Sequence, residues 1–158
     1  MMKKSILFSL ALFLLGMNAS FAQTIDDEIS LIQEAFGMDK KMIVQEVLQL
    51  SDTKAAAFWP IYEAYETERK ALSRERIKII NDYMEGYSNI GETEADNLAL
   101  RTLKNDQELS KLHLKYYKKL KKGVSALDAA KFLQLDTYIH NTIRNAIQQE
   151  LPFIDEFK

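Results

Sequence analysis

Leu50–Tyr65 reads L-S-D-T-K-A-A-A-F-W-P-I-Y-E-A-Y, and this stretch decides the fold. Ser51 stands where a helix N-cap belongs, with Leu50 before it as a staple residue. After three alanines, Phe58, Trp59, Tyr62 and Tyr65 gather around Pro60. Phe58, Tyr65, Leu72 and Ile79 recur every seventh residue, flanked by Ile61, Tyr62, Ile80 and Tyr83. That is the period of a helix packed lengthwise on other helices. The spacing predicts one helix from Asp52 to about Glu85, with Glu66–Arg69, Glu66–Lys70 and Lys78–Asp82 pairs on its wet side. Pro60 removes the bond to Ala56 and costs about 3 kcal/mol or more inside a helix. Either the helix kinks there, or residues 52–58 form a separate turn and Pro60 opens the main helix. The aromatic stripe crosses the proline in phase, which favours the kink.

Helical patterns extend to both sides. Upstream, Thr24 with Asp27 resembles a capping box, and Ile25, Ile29, Ile32 and Phe36 give a stripe that Gly37 stops or breaks. Met38 to Leu50 resumes helical spacing, as a second short helix or as the continuation of a bent one. Downstream, Gly86–Gly91 has loop composition. A third helix is expected from about Glu92, capped by Gly91 or Thr93, to Lys122. Leu98, Leu109, Leu112, Tyr116 and Leu120 face inward, and Gly123 serves as a C′ stop. Ser125 caps the last helix with Asp128 at the capping-box position, and Phe132, Leu135, Ile139, Ile143 and Ile147 form its stripe. Pro152 ends it. The expected fold is all-α, an elongated, bent four-helix arrangement. A 34-residue helix would be about 51 Å long, against about 37 Å across for a compact chain of this size. The monomer is therefore elongated, bent at Pro60, or completed by a second subunit, and an antiparallel homodimer would cover the apolar stripe.

The N-terminus addresses the chain for export. Lys3 and Lys4 precede an apolar run, Ile6–Leu15, and Ser20-Phe21-Ala22 offers a cleavage site, so residues 1–22 read as a signal peptide cut after Ala22. The run is too short for a membrane span of roughly 20 residues. Residues 23–158 then form a single mature domain. Losing Lys3 and Lys4 turns 21 basic residues into 19 against 23 acidic, a net charge of −4. That charge suits a soluble protein rather than a polyanion partner, and the export signal disfavours nucleic acid. The chain has no cysteine, so it carries no lipid-attachment cysteine, and its stability comes from packing alone. A periplasmic location is expected.

Laying Leu50–Tyr65 on Val124–Ile139 matches Ser51 with Ser125, Ala55 and Ala56 with Ala129 and Ala130, and Phe58 with Phe132, the mark of an internal repeat. Two helix-opening motifs in an exported, cysteine-free helical chain resemble the Leu-Thr-x-x-Gln motifs of the Spy/CpxP family of periplasmic proteins. The motifs here are L-S-D-T-K at Leu50–Lys54 and V-S-A-L-D at Val124–Asp128. Serine replaces threonine, and Lys54 and Asp128 replace the glutamines. The chain is also similar to envelope proteins that share F-W-P-I-Y and a later F-x-Q, here Phe132 to Gln134. The resemblance implies a cradle-shaped antiparallel dimer whose concave face holds unfolding proteins without ATP. Alternatively, it implies a sensor or adaptor that engages one membrane partner in envelope-stress or sigma-factor signalling.

Catalytic chemistry is not expected. No Ser–His–acid or Cys–His arrangement and no glycine-rich phosphate loop can be assembled, so no enzyme, cofactor or small-molecule substrate is anticipated. His113 and His140 fall on different helices. With a carboxylate either could serve a metal-sensing relative, but half-buried or surface positions account for both, and no metal is assigned. Tyr62, Arg69, Arg76 and Tyr83 share one row of the second helix, which reads either as an adaptable protein-binding face or as a dimer seam. Lys111, Lys115, Lys118, Lys119, Lys121 and Lys122 crowd the end of the third helix, where they complement the helix dipole or meet an acidic surface.

Overall fold

The computed structural model describes residues 25–154. The expected signal peptide, Thr24 of the proposed capping box and residues 155–158 lie outside the described residues. The described residues form five α-helices: α1 (Ile25–Phe36), α2 (Lys40–Leu48), α3 (Asp52–Gly86), α4 (Glu92–Gly123) and α5 (Ala126–Glu150), with a short 3-10 turn at Tyr87–Asn89. No strand occurs among the described residues. The all-α expectation holds, with five helices in place of four.

The extra helix comes from two breaks. Gly37 adopts φ +70, the left-handed conformation that glycine enters at no steric cost, and this separates α1 from α2. Asp39 then caps α2 by accepting the Met42 amide. Gln49, also left-handed at φ 48, ends α2. No Gly or Asn marks that second break.

α3 runs unbroken through Pro60 for 35 residues, about 52 Å. The alternative in which Pro60 opens the main helix is therefore excluded. Pro60 and Ala56 are both exposed, so the carbonyl freed by the missing N–H turns towards water. Ser51 takes the N-cap position with extended backbone but makes no side-chain cap bond. Ser125 does cap α5, accepting the Asp128 amide at 3.0 Å and donating its hydroxyl to the Asp128 carboxylate. Gly123 is not a left-handed stop, contrary to the sequence reading. It is the last helical residue of α4, and a Cβ there would stand 3.0 Å from Ile61 Cδ1. Among the described residues the only neighbour so close is the tip of this one α3 side chain.

α3 and α4 form an antiparallel hairpin: Asp82 and Glu75 pair with Arg101, Arg76 with Asp106, and Glu68 with Lys115. α5 returns antiparallel to α4, with Asp106 on Arg144 and His113 on Asp136. α3 and α5 are consequently parallel, and the repeated positions meet. Lys54 lies 2.7 Å from Asp128, and Phe58 packs edge-on against Phe132 at 5.5 Å. The repeat thus sets its own equivalents face to face. The main core gathers Val44, Leu48, Phe58, Tyr62, Tyr65, Leu112, Tyr116, Leu120, Ala129 and Phe132, with Leu50, Trp59 and Val124 packed on its edge. A second cluster, Ile32, Ile43, Ile139 and Ile143, fixes α1 and α2 to α5.

Candidate functional site

Of the row expected to be a protein-binding face or dimer seam, Tyr62 and Arg69 are buried within the monomer, while Arg76 and Tyr83 are half-buried. Tyr62 is buried in the aromatic core. Arg69 is 4% exposed and paired with Glu28 at 2.7 Å and Glu66 at 3.2 Å. Arg76 reaches Asp106 across the hairpin, and the Tyr83 hydroxyl donates to the Pro152 carbonyl. α1, α2 and the C-terminal segment cover what the seven-residue repeat left open. For the same reason the Glu66–Arg69 pair, expected on the wet side, is buried.

At the centre stands Asp136, which is 0% exposed. Its Oδ1 lies 2.6 Å from Lys40 Nζ. Its Oδ2 accepts the Tyr65 hydroxyl and sits 3.1 Å from His113 Nε2 and 3.5 Å from His140 Nε2. Burial by itself would raise the Asp136 carboxyl. The Lys40 charge and the His113 hydrogen bond outweigh burial and hold it well below the usual carboxylate range. Burial pushes the His140 imidazole down to about 3, although Asp136 pulls it up. Burial also raises the Tyr65 phenol, reinforced by Asp136, so it stays protonated as a donor. Arg69 is desolvated, yet Glu66 and Glu28 raise it and keep it charged. Lys40 bridges Asp136 to Glu66, at 2.6 Å from each, which joins polar groups of α2, α3 and α5 into one network.

Sequence reasoning kept His113 and His140 apart. The antiparallel return of α5 brings both rings onto one carboxylate, and Asp136 and Lys40 were not singled out. The available signal was a charged residue inside an apolar stripe: Asp136 falls between Phe132 and Ile139, and Lys40 precedes Ile43 and Val44. Among the described residues no group of three or more His, Cys, Asp or Glu side chains is placed to hold a metal. In this network the Asp136 carboxylate takes the Lys40 ion pair on Oδ1 and the Tyr65 and His113 contacts on Oδ2. It forms an ionic core whose contacts join α2, α3, α4 and α5.

The outward faces offer a different arrangement. On α4, Leu100, Leu103 and Leu114 are 58%, 66% and 55% exposed. At 100° per residue they fall on one side of the helix, and Lys118 and Lys121, also exposed, continue the same strip. Three further lysines at this end are engaged: Lys115 holds Glu68, Lys111 holds Glu108 and Lys119 lies over the Tyr116 ring. Gln134 is exposed on α5.

Fold and site together define an all-α bundle with an ionic centre and three exposed leucines on the outer side of α4. Comparison with protein-family models, curated proteins and solved structures finds no match.

Proposed function

We propose that this chain is an exported, ATP-independent, chaperone-like protein that binds apolar polypeptide segments in the cell envelope. The observation that carries this reading is the set of three exposed leucines on one side of α4, which no other helix among the described residues covers. Exposed leucines in line offer apolar area of about 25 cal/mol per Å² to an extended or helical segment. They do so without the pocket that would demand one sequence. The resemblance to the Spy/CpxP family supports the same reading, and it extends to a homodimer. The test is light scattering with an aggregating client. The wild-type protein should suppress aggregation at a severalfold excess, and Leu100→Ser/Leu103→Ser/Leu114→Ser should lose most of that effect while keeping its helical content. A wild-type protein without suppression removes the proposal.

A second reading, a sensor or adaptor with one membrane partner, is favoured by Lys118 and Lys121, which extend the strip with positive charge suited to an anionic surface. Crosslinking in cells separates the two. Selective capture of one membrane protein supports the adaptor, and indiscriminate capture of unfolded clients supports the chaperone. No helix among the described residues is long and apolar enough to cross a membrane.

A further inference from the structure

Between α3, α4 and α5, beside Glu28 and Leu31 of α1, lies a cleft of about 110 Å³ that the ionic centre borders through His113 and His140. Its lining includes the aliphatic Leu72, Ile77, Leu109, Ile143 and Ile147. It also carries Arg76 and Arg144, which share a single carboxylate. Arg144 Nη2 lies 2.7 Å from one Asp106 oxygen, and Arg76 Nη1 lies 3.4 Å from the other. Each guanidinium spends one N–H of five on that acid. The remaining charged groups of the cleft do not cancel the surplus. Glu28 is taken by Arg69, and Arg69 in turn by Glu28 and Glu66. Burial and the neighbouring Arg144 charge both depress Arg76, as expected for a cation that lacks a full counter-charge. Asn105 supplies an independent observation. It lines the same cleft, is only 7% exposed, and its Oδ1 has no hydrogen-bond partner. A buried acceptor without a donor costs about 1–3 kcal/mol, and a ligand hydroxyl would satisfy it once a small shift of the Asn105 side chain turns Oδ1 to the cleft.

We propose that this cleft binds a short aliphatic hydroxy acid. Its carboxylate bridges Arg76 and Arg144, its hydroxyl donates to Asn105 Oδ1, and its hydrocarbon body lies along Leu72, Ile77, Leu109 and Ile147. Guanidinium forks match carboxylate geometry, whereas a cationic ligand would be repelled by the surplus charge. The cleft is well below the roughly 300 Å³ of a drug-sized site, which restricts the ligand to a short chain. The site is separate from the outer face of α4 and does not depend on polypeptide binding.

The experiment is titration of the full mature chain with 2-hydroxyhexanoate, hexanoate, hexan-1-ol and hexylamine, read by calorimetry and by amide chemical-shift changes. Both acids should bind, the hydroxy acid more tightly, with shifts centred on residues 105–109 and 140–147. The alcohol and the amine should not bind. Arg144→Gln should weaken the acids by about tenfold or more, and Asn105→Leu should remove only the advantage of the hydroxyl. Should Arg144→Gln fail to fold, Arg76→Gln and the cleft-filling Ile77→Trp make the same test. Leu100→Ser/Leu103→Ser/Leu114→Ser should bind the acids like the wild type, so loss of client binding leaves this proposal standing. The proposal is overturned if neither acid binds at about 10 mM, if hexan-1-ol binds as tightly as hexanoate, or if the arginine variants bind like the wild type.

Discussion

Asp136 organises the residue scale, and removing either charge around it has a defined cost. In Lys40→Met the carboxylate stays buried with its Oδ1 facing no cation, and breaking such a pair costs about 3–5 kcal/mol. Urea unfolding should show that loss, and Lys40→Met/Asp136→Leu should recover part of it, because the uncompensated charge is then gone. His140 makes the stability depend on pH. The unfolded imidazole titrates near its ordinary 6.5 and the folded one near 3. Between those values the unfolded chain binds the extra proton, so stability falls on acidification through that window. The slope approaches about 1.4 kcal/mol per pH unit for one full proton. Unfolding measured from pH 6.5 to pH 5, above the range where ordinary carboxylates titrate, should show a decline that His140→Gln flattens. Little of this centre was legible in the sequence. A lone Asp in a helical stripe is read as a solvated face until the partner helices are placed, and those placements depend on long-range packing.

The helices themselves were far more legible, because period and punctuation are local. The seven-residue recurrence of Phe58, Tyr65, Leu72 and Ile79 located α3 within a residue of its end, and Ser125 located the start of α5. What failed was the meaning of single punctuation marks. Gly37 and Gly123 both sit at helix ends, yet only Gly37 has positive φ. Gly37→Ala should therefore destabilise by about 1 kcal/mol, through left-handed strain. Gly123→Ala should be neutral or stabilising, up to about 1 kcal/mol, from helix propensity. Its new Cβ meets only the flexible tip of Ile61, which can yield. Thermal unfolding of the two variants distinguishes them, and equal losses would return Gly123 to the role of a left-handed stop. The break after α2 had no signal at all, since Gln49 adopts the left-handed cap without the residue types that usually announce it.

At the scale of the whole molecule, the period of α3 showed that its apolar stripe had to be covered, but not by what. A second subunit was the expected cover; within the monomer α4 and α5 supply most of it, with Leu112, Tyr116, Leu120 and Phe132 gathered around Phe58 and Tyr65, and Val44 and Leu48 of α2 join the same cluster. The need for a partner therefore moves from α3 to α4, whose outer leucines remain open. A homodimer of this chain should form through α4 rather than through the Tyr62–Tyr83 row. Antiparallel apposition of two α4 helices would bring Leu100 and Leu103 of one copy towards Leu114 of the other, and the lysine-rich ends towards Glu92 and Glu94 in the first turn. Sedimentation at micromolar concentration should give a dimer for the wild type and a monomer for Leu103→Lys/Leu114→Lys. Because both positions are exposed in the monomer, the variant's melting temperature at low concentration should stay within a few degrees of the parent. A dimer that survives this double substitution would place the seam elsewhere. A wild-type monomer at those concentrations would leave the α4 face free for polypeptide clients alone, and the light-scattering assay would then report on a single helix face.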